Sequence, residues 1–152
     1  DKHVFMENIS VYFGSDHAGY HLKNQLADYL KGKGHRVVDL GVFSEESVDY
    51  PDIAREVGEK VLENHGAVGV LICGTGIGMC MAVNKLKGIR AANCESEQCV
   101  QMSRHHNDAN VLCIGGRVLP FEQAKKLVDI FLTEKFENEE RHVRRVKKMD
   151  QI

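Results

Sequence analysis

Hydrophobic residues along the chain follow two alternating patterns. Short continuous apolar runs predict strands at 9–13, 37–40, 68–73, 89–92 and 111–114. Between them, apolar residues recur every three to four positions, which is typical of amphipathic helices. Because strands and helices alternate, we expect a three-layer α/β/α sandwich of Rossmann-like type around a five-stranded parallel sheet.

Glycine, proline and polar residues mark the ends of the predicted helices. Leu22, Leu26 and Leu30 lie on one face of the first helix, which ends near Gly32. Pro51 marks the start of the second helix. The next three are predicted over 79–86, over about 96–104 and from about 120 onward. In such folds ligands bind beyond the carboxyl ends of the strands, so residues that follow strands are candidates for function.

Length and charge limit the classes of protein. A chain of 152 residues suits one domain, and no linker or repeat divides it. We interpret residues 1–8 as an N-terminal extension or the remnant of a tag, and residues 139–152 as a basic tail. The net charge of −2 gives no reason to expect nucleic acid or a membrane as partner. No apolar run approaches the roughly 20 residues that cross a bilayer.

The cysteine pattern predicts a reduced protein of the cytoplasm. The five cysteines are an odd number and contain no Cys-x-x-Cys pair, so a disulfide framework and a zinc site are both poorly supported. We expect most of them to be small core residues. Cys73 differs because it directly precedes a glycine-rich loop.

Residues 73–78, Cys-Gly-Thr-Gly-Ile-Gly, follow the third predicted strand. The spacing fits a plain strand-to-helix turn, or a loop whose backbone N–H groups bind an anion. It matches neither the P-loop nor the dinucleotide-binding fingerprint. A thiolate of Cys73 could be stabilised by these N–H groups and could abstract a proton beside a carbonyl. The N–H groups could also hold the oxygen of the resulting enediolate.

Three further clusters are candidates. Asp16 and His17 follow the first strand. They either cap a helix, or Asp16 binds a sugar hydroxyl and His17 a phosphate. The pair does not suggest a metal site, because adjacent residues rarely converge on one ion. The polar segment 103–110 contains two adjacent histidines, either of which could be a general acid/base, unless the segment is only a polar loop. In the tail, a helix would align Arg141 and Arg145 toward one dianion, and Arg117 could join them; a solvated basic face is the alternative.

Together these segments resemble the ribose-5-phosphate isomerase B family, which also includes the galactose-6-phosphate isomerase subunits. The resemblance is carried by residues 14–19, 73–79, 88–92, 103–110 and 141–146, which occur in the family's order. It implies that Cys73 moves a proton between C1 and C2 of the open sugar. It also implies that Thr75 shifts a proton between the two oxygens and that His106 opens the sugar ring.

The resemblance also implies a substrate-binding set and an assembly. The substrate would be bound by Asp16, His17, Gly74, Thr75, Gly76, Ile77, Gly78, Asn107, Arg117, Arg141 and Arg145. Neither a metal nor a cofactor would be needed. Family members are dimers or larger assemblies with shared active sites. We therefore expect a homodimer or a dimer of dimers, in which His106 and Arg117 serve a site whose Cys73 belongs to the other subunit.

The expected function is interconversion of D-ribose 5-phosphate and D-ribulose 5-phosphate through an enediolate, in the non-oxidative pentose phosphate pathway. An alternative is the same chemistry on allose 6-phosphate or galactose 6-phosphate. A remote alternative is a non-catalytic nucleotide-binding module. The chain departs from the family at 138–140, where Asn-Glu-Glu replaces a Gly-Gly pair. The two carboxylates would weaken phosphate affinity, unless they pair with Arg144 or Lys147 and point away.

Overall fold

The computed structural model describes residues 8–152, so the predicted extension lies outside the described residues apart from Asn8. Strands and helices alternate through most of this range. The elements are β1 (Ser10–Ser15), α1 (Tyr20–Gly32), β2 (Arg36–Asp39), α2 (Tyr50–Glu63), β3 (Val68–Cys73), α3 (Ile77–Val83), β4 (Ala91–Asn93), α4 (Glu97–His105), β5 (Val111–Gly115), α5 (Phe121–Thr133) and α6 (Glu140–Asp150).

The five strands form one parallel sheet in the order β2-β1-β3-β5-β4. All six residues of the central strand β3 are buried, because helices cover both faces of the sheet. Alternate residues of β3 therefore enter different cores. Val70 and Ile72 pack with α1, α4 and α5, whereas Leu71 and Cys73 pack with α2 and α3. The predicted three-layer α/β/α sandwich is confirmed.

The largest errors in the predicted boundaries surround α3. This helix starts at Ile77, two residues before the predicted start at 79, because the left-handed backbone of Gly76 (φ 87°) completes the turn directly before Ile77. It ends before Asn84. The side chain of Asn84 accepts a hydrogen bond from the N–H of Ala91 at 2.8 Å and donates one to the carbonyl of Ala91 at 3.0 Å. Strand β4 accordingly begins at Ala91 instead of residue 89.

The topology brings two strand ends together at one edge of the sheet. Strands β1 and β3 are neighbours, and the chain leaves them in opposite directions across the sheet. Such a switch in strand order opens a crevice at the carboxyl ends of the strands. Asp16 and the glycine-rich loop follow these two strands and so border the crevice. Within residues 8–152, no helix is long and apolar enough to cross a membrane.

Candidate active site

The glycine-rich loop holds the Cys73 thiol against a backbone donor. The N–H of Gly76 donates to Sγ of Cys73 at 3.1 Å, and the N–H of Ile77 donates to Oγ1 of Thr75 at 3.1 Å. The side chain of Cys73 is buried at the end of β3. The sulfur therefore faces the backbone N–H groups at the start of α3.

The glycines of this loop are required by its close packing. A Cβ on Gly76 would lie 2.9 Å from the carbonyl carbon of Ile114, and its φ of 87° disfavours other residues. A Cβ on Gly78 would lie 2.8 Å from the ring of Tyr50. The loop is therefore more than a generic turn: its backbone is pressed between β5 and α2.

Asp16 and His17 border the crevice from β1. Oδ1 of Asp16 accepts hydrogen bonds from the N–H groups of Ala18 and Gly19 at 2.9 and 3.1 Å, which caps a short 3₁₀ turn over His17–Gly19. The capping role that the sequence allowed is therefore present for this oxygen. Nδ1 of His17 is buried and lacks a hydrogen-bond partner among the described residues.

Arg117 lies at the same edge. Its backbone N–H donates to the carbonyl of Gly74 at 3.1 Å, and the N–H of Gly116 donates to the carbonyl of Cys73 at 2.7 Å. The guanidinium nitrogen Nη1 lies 3.5 Å from where a Cβ of Gly74 would be. Arg117 thus belongs with the Cys73 loop of its own chain. The expectation that grouped it with His106 is corrected, because β5 delivers it beside β3.

Asn93 was missed by the sequence analysis. It ends β4, and its Nδ2 donates to the carbonyls of Thr75 and Cys113 at 3.4 and 3.0 Å. It therefore ties the glycine-rich loop to β5 on the side opposite β1. The available signal was its position as the first polar residue at the carboxyl end of a predicted strand.

The remaining cysteines depart from the expected pattern. The thiol of Cys113 hydrogen-bonds Cys80 and lowers the pKa of Cys80 to about 7, while burial raises the pKa of Cys113 well above its ordinary value. Cys94 and Cys99 form a disulfide, a single bridge that the odd number of cysteines and the missing Cys-x-x-Cys pair did not indicate. The short turn between β4 and α4 brings their Cα atoms to 5.6 Å, within the range that a disulfide spans.

The segment with the adjacent histidines forms a second cluster. His106 follows α4, and its ring stacks on His142 of α6 with a centroid distance of 4.5 Å and an interplanar angle of 12°. Nε2 of His106 lies 3.4 Å from Oε1 of Glu137. The neighbouring His105 pairs with Glu134 instead, at 2.7 Å.

Among residues 8–152, one group of side chains is close enough together to hold a metal ion. It consists of His106, Glu137 and His142, whose donor atoms lie within 4.8 Å of one another. Two nearly parallel imidazole rings, however, aim their nitrogen lone pairs in parallel and do not converge them on one ion. The arrangement suits proton transfer better than tetrahedral coordination.

The tail is helical, and Arg141 and Arg145 occupy one face four residues apart. The two added carboxylates behave differently. Glu140 pairs with Arg144 at 2.6 Å, which is one of the pairings expected if the carboxylate does not weaken phosphate binding. Glu139, in contrast, lies 3.4 Å from Arg141. Glu139 therefore sits beside one of the predicted phosphate ligands.

The two clusters lie at opposite edges of the sheet. Helix α4 runs back from the carboxyl end of β4, so His106 and Asn107 lie at the amino end of β5, whereas Cys73 lies at the carboxyl end of β3. The five residues of β5 span about 16 Å. Asn107 lines a cavity of about 470 Å³ that contains no residue of the Cys73 loop. One chain thus carries two separate clusters of candidate residues, which we call half-sites.

Comparison with known proteins gives a consistent result. The family model described as Ribose/Galactose Isomerase matches residues 11–149. The chain is 42% identical over 142 residues to ribose-5-phosphate isomerase B of Escherichia coli, covering 93% of this chain and 95% of that protein. It is 43% identical to the probable ribose-5-phosphate isomerase B of Mycoplasma genitalium, covering 93% and 94%.

Solved structures are similar over the same range. Ribose-5-phosphate isomerase B of Clostridium thermocellum is 45% identical with a TM-score of 0.91, covering 94% of this chain and 96% of that one. The Thermotoga maritima protein of the same name is 44% identical with a TM-score of 0.91, covering 95% and 99%.

Proposed function

Because the chain belongs to the ribose/galactose isomerase family, we propose that it interconverts D-ribose 5-phosphate and D-ribulose 5-phosphate through an enediolate. The observation that carries this proposal is the hydrogen bond from the N–H of Gly76 to Sγ of Cys73. The bond holds the Cys73 sulfur beside a loop of backbone N–H donors, so a candidate proton acceptor and candidate donors for an enediolate oxygen lie together. Proton transfer beside a carbonyl requires both.

In the proposed reaction, the Cys73 thiolate removes the proton from C2 of the open aldose and returns it to C1. The negative charge moves onto the enediolate oxygens, which are stabilised by those N–H groups of the loop from Gly74 to Gly78 that do not already donate to Cys73 or Thr75. Thr75 shifts a proton between these two oxygens. Its Oγ1 already accepts from Ile77, so its own hydrogen is free to point at the substrate. No metal or cofactor takes part in this scheme.

The groups proposed for ring opening and phosphate binding are divided between the two half-sites. Asp16, His17 and Arg117 surround the Cys73 loop, whereas His106, Asn107 and the tail arginines lie at the opposite edge. A single chain cannot bring both sets to one small substrate. We therefore infer a homodimer, or a dimer of dimers, in which each active site takes Cys73 and Arg117 from one subunit and His106, Arg141 and Arg145 from the other.

The same chemistry on a hexose is the second candidate, and one contact favours testing it. Glu139 lies 3.4 Å from Arg141, where its charge competes with a phosphate for the guanidinium. A shifted phosphate would change the length of sugar that fits. A comparison of kcat/KM for ribose 5-phosphate, allose 6-phosphate and galactose 6-phosphate decides between a pentose and a hexose substrate. We expect the highest value for the pentose.

Replacement of the base tests the mechanism. Cys73→Ala should reduce kcat for ribose 5-phosphate by about a thousandfold or more, because the proton acceptor is lost. Cys80→Ser is the matched control, because Cys80 is a free thiol on α3 with a pKa of about 7, and this variant should retain activity. A folded Cys73→Ala variant with full activity would exclude Cys73 as the base.

Residence in the cytoplasm stays a prediction. Three of the five cysteines are free thiols, which a reducing compartment favours, whereas the disulfide between Cys94 and Cys99 does not. Trapping of free thiols in the cell of origin, followed by mass determination of the isolated protein, would show whether Cys94 and Cys99 are reduced or disulfide-bonded there.

A further inference from the structure

We propose that Glu137 and His142 are positioning residues that hold the His106 ring for opening the sugar ring. The inference rests on the proposed function. In this step His106 accepts the proton of the hydroxyl on C1, the C1–O4 bond breaks as the carbonyl forms, and the ring oxygen receives a proton from His106. The step needs an imidazole in one orientation that can carry a proton briefly.

His142 sets the plane of the His106 ring. The two rings are nearly parallel, at 12°, with centroids 4.5 Å apart, a distance typical of stacked aromatic rings. His142 is itself only 6% exposed. Val146, one turn further along α6, is also buried and anchors the same face of the helix. The ring of His106 therefore rests on a rigid surface.

Glu137 sets the direction of the His106 ring nitrogens. Its Oε1 lies 3.4 Å from Nε2 of His106, and its backbone N–H donates to the carbonyl of His105 at 2.9 Å. The backbone bond fixes the position of the Glu137 main chain, and its carboxylate favours the orientation of the His106 ring that turns Nε2 toward it. This is how a carboxylate supports a catalytic histidine in other enzymes.

The adjacent pair provides an internal control. His105 lies 2.7 Å from Glu134, with side chains 25% and 30% exposed, against 40% and 40% for His106 and Glu137. Replacement of either glutamate by glutamine removes the same charge from the same short region of the surface. An effect specific to Glu137 therefore cannot come from the general electrostatic potential.

The test separates ring opening from proton transfer. Isomerisation of ribose 5-phosphate requires both steps. D-ribulose 5-phosphate has no ring to open because its C5 oxygen carries the phosphate. Uptake of deuterium from D₂O at its C1, followed by NMR, reports proton transfer at Cys73 alone. Glu137→Gln and His142→Ala should lower kcat on ribose 5-phosphate by about tenfold and leave deuterium uptake within about twofold.

Two comparisons complete the experiment. His142→Phe keeps a stacked aromatic ring and should recover most of the activity lost in His142→Ala, while Glu134→Gln should match wild type in both assays. The inference is overturned if Glu137→Gln equals wild type, or if it lowers deuterium uptake as much as isomerisation. Because Glu137 is half-exposed, its variant remains informative even if His142→Ala does not fold. If the wild-type protein catalyses neither isomerisation nor deuterium uptake, the proposed function itself is refuted.

Discussion

Cys80 differs from the other free thiols because of one neighbour. The hydrogen bond from Cys113 stabilises the Cys80 thiolate more than partial burial destabilises it, so the pKa of Cys80 falls to about 7. Cys113 is fully buried on β5, and burial raises its own pKa. Two thiols in contact thus have opposite shifts, because only the less buried one can ionise at low cost.

This difference predicts selective alkylation. In a Cys73→Ala background, the rate of iodoacetamide modification of Cys80 should rise about tenfold per pH unit below pH 7 and level off above it, since the thiolate is the reactive form. Peptide mass spectrometry locates the modified residue. Cys113→Ala removes the donor and should move the midpoint upward toward about 8.5. An unchanged midpoint would contradict the assigned cause.

At the scale of elements, the contact between α2 and α3 positions the glycine-rich loop. Gly58 lies within α2, on the side of the helix that packs against α3. A Cβ there would lie 2.6 Å from Cδ1 of Leu86 and 2.8 Å from Cγ2 of Val83. Leu86 can rotate away, but β-branched Val83 on α3 has little freedom. The absence of a side chain at residue 58 therefore sets the distance between the helices.

Gly58→Ala should consequently destabilise the protein. Glycine to alanine inside a helix ordinarily adds up to about 1 kcal/mol of stability. Here overpacking against Val83 should outweigh that gain and lower the free energy of unfolding by about 1 kcal/mol. Gly32→Ala at the end of α1 is the control, because nothing lies within 4 Å of its Cβ, and it should gain about 0.5 kcal/mol. Urea unfolding measures both, and equal signs would refute the packing argument.

At the scale of the whole molecule, the separation of the half-sites predicts complementation between inactive variants. Cys73→Ala and His106→Asn should each be inactive alone. Refolded together in equal amounts, they form mixed dimers with one site that has both groups intact, and about a quarter of wild-type activity should return. The measurement is the isomerisation rate against total protein.

A second mixture controls for non-specific recovery. Cys73→Ala with Thr75→Ala places both defects in the same loop, so every site of a mixed dimer retains one of them. No activity should return in this mixture. Equal recovery in the two mixtures, or none in either, would contradict active sites shared between subunits.

Local sequence patterns were sufficient to predict the strands of the sheet and the residues at its carboxyl edge. The apolar run at 68–73 coincides with β3, because a strand covered on both faces needs apolar residues at every position. Asp16, Cys73 and Arg117 were found for a related reason. Parallel strands place their carboxyl ends at one edge, so a residue that follows a strand can be located without the tertiary structure.

The tertiary structure alone decided which candidates meet. Arg117 joins the Cys73 loop and His106 joins α6, because the order of strands and the direction of α4 determine the edge at which each loop emerges. The sequence did not mark Asn93, Glu137 or His142 as candidates. Their roles depend on contacts between segments distant along the chain, and hydrophobic periodicity carries no information about such contacts. The sequence by itself therefore determined the fold and the chemical groups, and the packing of the elements divided those groups into two half-sites.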